Sequence, residues 1–284
     1  KYGVFGSAAF VGWYNGHPDF RDLDPDLDIP HAVVIGNGNV AIDCARVLLR
    51  TPRGMSASDL PDHVGDLIHA APITDVYLVG RRGPEDAKFT NVELREIGKL
   101  RETVPQMKSD QMPNSIEETV VNLKGRDRRL AERNLNTLEE FSVRSADEKR
   151  KRIHFEFYSK PIEILGGDRV EGVRFERTEV NEGHVIGTGE IFEIDCGLVV
   201  AAIGYQAVSI KGAPYDEKQA VTSNVEGRVG NGLYAVGWTK RGPTGVISSN
   251  RSDGEIVAQH IKNDLAGGGR KPGRKAFELA LKAR

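Results

Sequence analysis

Gly36-Asn37-Gly38-Asn39-Val40-Ala41 has the spacing G-x-G-x-x-A and follows directly on the β-branched run Ala32-Val33-Val34-Ile35. Gly36 permits a tight turn, Gly38 carries no Cβ that would hold a phosphate away from the backbone, and Ala41 lets the next helix lie close to the strand. That helix, which continues to Arg50, turns its unpaired first N–H groups and the positive end of its dipole toward the turn. Gly36, Asn37, Gly38, Asn39 and Val40 therefore form a candidate cradle for the pyrophosphate of a nucleotide.

Further along, the apolar segment Asp75-Val76-Tyr77-Leu78-Val79 ends in Gly80-Arg81-Arg82-Gly83. A strand in this position usually ends on an acid when the ligand is NAD, because the acid accepts from the ribose 2′-OH; a 2′-phosphate calls for arginine. Arg81 and Arg82 stand where the acid would be, and fork-shaped, permanently charged guanidiniums favour NADP. Their distance from the glycines exceeds the usual ~20 residues, which is assigned to an insertion over Thr51 to Ala71. Thr90 and Glu93 have the spacing of a capping box at the start of a helix, and Glu96 follows one turn later on the same face. A third turn, Gly237-Trp238 to Gly245-Val246-Ile247, lies between a strand and a helix expected from about Thr244, and its glycines would let backbone approach a planar ligand.

The elements that must hold these residues follow from the hydrophobic pattern. Between Ile153 and Tyr205, alternating segments broken by glycines predict a small antiparallel β meander. Residues 1–30, rich in glycine and aromatics and ending in RDLDPDLDIP, have the composition of a linker, with Trp13 and Tyr14 sealing a domain junction. The fold expected is α/β: a three-layer Rossmann-like nucleotide domain over 31–203 with the small meander, followed by part of a second domain over 204–266 and a tail over 267–284.

With 284 residues, 39% hydrophobic and 28% charged, the chain has the composition of a globular protein of one or two domains. A net charge of −2 argues against bulk attraction to nucleic acid or to an anionic membrane. No apolar run approaches the ~20 residues of a membrane span, so no membrane insertion is expected. The two cysteines, Cys44 and Cys196, are far apart and offer neither a dithiol pair nor zinc-ligand spacing. They are expected to be buried fillers in a protein of a reducing compartment, either a bacterial cytoplasm or a mitochondrial matrix.

VVIGNGNVAIDCARVLL, VGRRGPEDAKFTNVELRE and YAVGWTKRGPTGVI, in this order and preceded by FVGWYNGHPDF, resemble the adrenodoxin-reductase-type ferredoxin–NADP reductases. The resemblance implies a glutathione-reductase-like architecture, with NADP(H) and FAD as cofactors and a ferredoxin-like iron–sulfur protein as partner. It implies that Gly36 to Val40 meet the NADP pyrophosphate and that Arg81 and Arg82 meet the 2′-phosphate. Glu93 would lie on the ribose side, and Glu96 would stand near the nicotinamide as the acid that assists hydride transfer. Gly237, Trp238, Gly245, Val246 and Ile247 would line the flavin. The family's N-terminal FAD-binding βαβ unit, with its own glycine fingerprint, has no counterpart in the sequence, so a part of such an enzyme is expected, with 204–266 as the C-terminal portion of its FAD domain. The alternatives are a non-catalytic NADP-binding module and the electron-input flavin subunit of a related oxidoreductase, whose usual iron–sulfur cysteine motifs are absent here. Oligomeric state is left open.

Overall fold

The computed structural model describes the chain except residues 231, 244–247, 267–272 and 284, and the side chains of 148 and 275–277. The chain divides into two compact units, Lys1–Ile203 and Gly204–Arg284.

In the first unit, β1 (Val4–Gly6) and α1 (Ser7–Tyr14) lead through an extended segment into β2 (His31–Ile35) and α2 (Asn39–Leu49). The insertion carries α3 (Pro52–Met55) and α4 (Asp62–Ala70), and β3 (Asp75–Val79), α5 (Asn91–Gly98), β4 (Thr103–Met107), α6 (Ile116–Thr119), α7 (Gly125–Ser142) and β5 (Lys151–Glu156) follow. Next come β6 (Ser159–Leu165), β7 (Gly172–Asn181), β8 (His184–Asp195) and β9 (Leu198–Ala201). A parallel sheet in the order β1-β9-β2-β3-β5-β4 forms the middle layer. On one face, Ala32, Val34, Leu78, Ile153 and Phe155 pack with helical residues such as Ile42, Leu48, Leu94 and Phe141. On the other, Val33, Val79 and Val199 pack with Val173, Phe175 and Ile194 of the antiparallel sheet β6-β7-β8. These are the three layers expected, and the helices supply one of them because α2 buries Ala41, Ile42, Cys44, Ala45, Leu48 and Leu49 on one stripe.

Three features differ from expectation. Residues 1–30 are not a linker throughout: β1 is an edge strand of the parallel sheet, and Phe10, Trp13 and Tyr14 are buried in its core. These residues have helical spacing, and the glycine at position 12 serves close packing, since a Cβ there would lie 2.2 Å from Cδ2 of Phe20. The antiparallel meander is shorter than expected, because Lys151–Glu156 and Leu198–Ala201 pair in the parallel sheet; Leu198, Val199 and Val200 are all buried, as a strand covered on both faces requires. Strand β4 was not expected, since Pro105 weakens a strand pattern, and it lies at the sheet edge, where proline is tolerated.

At the N-terminal ends of β2, β3 and β5, Asp75 is the charged centre of the sheet. Its buried carboxylate accepts Arg152 Nε and Nη2 at 2.6 and 2.7 Å, His154 Nε2 at 2.7 Å and Thr74 Oγ1 at 2.7 Å. Burial alone would raise its pKa, but these donors outweigh burial and hold the carboxyl far below the usual carboxylate range. Burial also lowers the pKa of His154, against the pull of Asp75.

The second unit carries the short hairpins β10 (Tyr215–Asp216) with β11 (Val221–Thr222) and β12 (Arg228–Gly230) with β13 (Leu233–Tyr234). Helices α8 (Trp238–Arg241), α9 (Ser249–Ala266) and α10 (Gly273–Lys282) follow. The single turn of α8 was not expected, and Thr244, where a helix start was expected, lies outside the described residues. Both cysteines are buried, and burial pushes each thiol up to about 12.

Replacing Asp75 by Asn removes the counter-charge of Arg152 inside the sheet, and the expected loss is about 2–4 kcal/mol in urea unfolding at pH 7. Because the native carboxyl is depressed, its stabilisation is complete above the unfolded value of 3.8 and fades as pH falls below it. The stabilities of the two proteins should therefore converge in acid; a constant gap between pH 7 and pH 3 would show that the carboxylate charge is not what stabilises.

Candidate nucleotide-binding site

The first turn is built by strand register. Ile35 pairs with Val79, and Gly36 N–H donates to the Val79 carbonyl at 2.8 Å, so the glycine turn after β2 and the arginine turn after β3 emerge side by side. Adjacent strands are only ~4.8 Å apart. From β2 the chain crosses to β3 on one side while β9 pairs on the other, which places both turns beside a switch point of the sheet, where open α/β sheets bind ligands.

Gly36 has φ +144°, and a Cβ there would lie 2.2 Å from the Ala202 carbonyl oxygen. A side chain at this position is excluded by space as well as by conformation. Gly38 is the N-cap of α2 and has open space where a Cβ would stand. No side chain caps the helix, so the first-turn N–H groups from Asn39 onward are left for a ligand.

The two asparagines have structural duties that their sequence positions did not disclose. The Asn37 side chain fills the space beside Gly80, where a Cβ would come 1.7 Å from its Nδ2, and the Asn37 carbonyl accepts Lys88 N–H at 2.8 Å and Phe89 N–H at 3.1 Å. Asn39 Oδ1 accepts Thr90 N–H at 2.7 Å. The glycine turn is thus fastened to the segment after β3 by the Asn37 carbonyl and the Asn39 side chain, while the N-terminus of α2 is left without a side-chain cap. Val40 is half-buried and packs against the main core.

Arg81 is exposed, and among the described residues its guanidinium has no hydrogen-bond or ion-pair partner. Its carbonyl accepts Thr178 Oγ1 at 2.8 Å, and the Arg82 carbonyl accepts Tyr158 N–H at 3.1 Å, so the antiparallel sheet holds the arginine turn. The Arg82 guanidinium is engaged by Asp86 at 3.2 Å and by the Gly183 carbonyl at 2.9 Å. Asp86, Tyr158, Thr178 and Gly183 were missed at this edge. Asp86, five residues after Arg81, had a signal in sequence; the others are brought in by strand pairing.

Glu93 and Glu96 both lie on α5. The expected capping box is absent: Thr90 makes no side-chain cap, and Glu93 pairs with Arg46 of α2 at 3.3 Å. The reason is that Asn39 already takes the Thr90 N–H, leaving Glu93 free for the neighbouring helix. Glu96 pairs with Lys99 at 2.6 Å and borders a cavity of about 160 Å³ with Leu49, Arg50 and Thr103. That is the C-terminal end of α2, about 15 Å along the helix from the glycine turn. The hydrogen bond from Lys99 holds the Glu96 carboxyl below its usual range.

In the second unit, Gly237 has φ +61° and caps α8, and the Trp238 ring is stacked on Tyr205 with centroids 5.8 Å apart. Asp253 of α9, buried, fastens this turn by accepting Lys240 Nζ and Arg241 Nη1, each at 3.0 Å. Gly245, Val246 and Ile247 lie outside the described residues.

No family model matches the chain. Individual proteins do. It is 37% identical to the NADPH-ferredoxin reductase FprA of Mycobacterium leprae over 93% of this chain and 59% of that protein. It is 34% identical to the mitochondrial NADPH:adrenodoxin oxidoreductase of Arabidopsis thaliana over 99% of this chain and 64% of that protein. The structure of Mycobacterium tuberculosis FprA in complex with NADPH superposes with a TM-score of 0.88 at 35% identity, covering 97% of this chain and 62% of that one. Over nearly its whole length the chain is thus similar to NADPH-ferredoxin and NADPH:adrenodoxin reductases. It spans about three fifths of the length of these relatives. Among the described residues no helix is long and apolar enough to cross a membrane.

Asn39 separates fastening from ligand binding. Asn39→Ala should cost about 1 kcal/mol in thermal or urea unfolding, as the loss of a helix-end acceptor does. Asn39→Asp keeps the acceptor and should preserve stability, yet weaken NADP+ binding in titration calorimetry by placing a negative charge at the phosphate turn. Equal stability losses for both variants would show that the acceptor role is wrong.

Proposed function

We propose that this chain is the coenzyme-binding part of a ferredoxin–NADP+ reductase, an enzyme that exchanges a hydride between NADP(H) and FAD and passes single electrons to or from a small iron–sulfur protein. The observation that carries the reading is the adjacency, on neighbouring strands, of the glycine turn to the Arg81 guanidinium, which is unpartnered among the described residues. The turn fits a pyrophosphate because Gly36 excludes a side chain and Gly38 leaves the α2 N-terminus open. Arg81, together with Arg82, fits a 2′-phosphate in charge and fork geometry. Kinship to NADPH-dependent reductases supports the same assignment.

FAD, when bound, supplies the centre that accepts two electrons as hydride and releases them singly. The chain's own contribution is positional. Backbone N–H groups of α2 and the Arg81–Arg82 turn hold the nucleotide's anionic half, which sets the reach of its nicotinamide. In the second unit, Gly237 and Trp238 supply a small residue and a flat ring suited to a flavin face, held by Asp253. Glu96, paired with Lys99, is the residue assigned to assist hydride transfer near the nicotinamide.

For the partner, α7 offers a basic face. Arg126, Arg129 and Arg133 are exposed and lie on one side of the helix at spacings of three and four residues. Such a face attracts an acidic iron–sulfur protein by long-range steering even though the whole chain carries a net charge of only −2. A bacterial cytoplasm or a mitochondrial matrix fits the composition, and the relatives include a bacterial protein and one named as mitochondrial.

Arg81→Ala should weaken NADP+ binding by about 1.5–3 kcal/mol, the usual range for a hydrogen bond to a charged group, while NAD+ binding changes little. Titration calorimetry on the full chain measures both. Equal losses for the two coenzymes would assign Arg81 a structural role, and an absence of any NADP+ binding by the unaltered chain would overturn the reading.

A further inference from the structure

Asp86 stands in a place otherwise arranged for a 2′-phosphate. It ends the short turn Pro84–Asp86, and its Oδ2 lies 3.2 Å from Arg82 Nη1. The second Arg82 nitrogen, Nη2, donates at 2.9 Å to the Gly183 carbonyl. That carbonyl belongs to the two-residue turn Glu182-Gly183 joining β7 to β8, in which both residues have positive φ. Of the two arginines after β3, one is therefore uncommitted among the described residues and the other already carries a carboxylate.

The remaining charged groups on this segment do not take the same part. Glu85 is turned inward, with its two oxygens 3.4 and 3.3 Å from the Tyr158 hydroxyl, and burial pushes its carboxyl above the usual range. Burial, then the Glu85 charge, pushes the Tyr158 phenol up as well, so it remains a neutral donor. Lys88 is exposed and adds a positive charge. Asp86, with a third of its side chain exposed, is the acid that both touches a guanidinium and reaches solvent.

We propose that Asp86 is a specificity-determining residue of the coenzyme site: it narrows the preference for NADP(H) over NAD(H). The inference rests on the reading of this edge as the seat of the adenosine ribose. A 2′-phosphate must displace Asp86 from Arg82 or tolerate its charge nearby, whereas a 2′-hydroxyl can donate to the carboxylate while the Arg82–Asp86 pair persists. A carboxylate accepting from the ribose hydroxyl is how NAD sites are built, and a pair of bare arginines is how NADP sites are built. This edge holds both elements, with the Gly183 carbonyl keeping Arg82 in place in either case.

The test compares adenosine 2′,5′-bisphosphate with 5′-AMP, which differ only in the 2′-phosphate, by titration calorimetry on the full chain. Asp86→Asn should raise the affinity for the bisphosphate about tenfold, by removing one like charge from a half-exposed site, and 5′-AMP should gain nothing. The gain should shrink in high salt, since the charges are accessible to solvent. Asp86→Ser should give the same direction, which guards against a local effect of the amide. An unchanged ratio of the two affinities in both variants overturns the inference while leaving the nucleotide site standing. Failure of the unaltered chain to bind either nucleotide overturns the site and the inference together.

Discussion

The parallel pairing of Ile35 with Val79, closed by the hydrogen bond from Gly36 N–H to the Val79 carbonyl, sets two loops from distant parts of the sequence one strand spacing apart. Each loop alone has incomplete chemistry: open N–H groups without a second charge in one, guanidiniums without a cradle in the other. Their union depends on atoms that carry no functional signature. Asn37 fills the space beside Gly80, Asn39 takes the Thr90 N–H, and Tyr158 and Thr178 grip the arginine turn from the antiparallel sheet. Side chains and backbone groups at this edge both serve as fasteners, while the first N–H groups of α2 are left without a side-chain cap.

The same sheet divides its labour between ends. At the N-terminal ends, Asp75 gathers Arg152, His154 and Thr74 into a fully partnered cluster, an arrangement that binds strands together and offers nothing to a ligand. At the C-terminal ends, Gly38 leaves helix N–H groups uncapped and Arg81 has no described partner. Buried polar groups are costly when unsatisfied, so open donors are confined to the solvent-facing edge, where water or a phosphate can meet them.

Much of this was legible in the residues. The β-branched run into Gly36, and Arg81 with Arg82 after an apolar strand, pointed to the two turns that the structure sets side by side, because turn chemistry and charge are local properties. What the pattern hid depends on distant partners. Glycines made the first residues resemble a linker, although Phe10, Trp13 and Tyr14 have helical spacing and enter the core. Residues 153–156 and Leu198–Ala201 were grouped with the meander because alternation does not report which sheet a strand joins. The capping box at Thr90 was outcompeted by Asn39, and the engagement of Arg82 by Gly183 exists only after the β7–β8 hairpin folds over the arginine turn. Glu96 shares a face with Glu93 in sequence, yet the direction of α5 along α2 carries it to the helix end remote from the glycines.

The central claim is that the two turns hold one nucleotide between them. Hydrogen–deuterium exchange of the full chain with and without saturating NADP+ tests it directly. Protection confined to peptides covering Gly36 to Ala41 and Gly80 to Gly83, appearing together and at the same ligand concentration, is the predicted result. Protection at one turn without the other, or centred on the far end of α2 near Glu96, would contradict it.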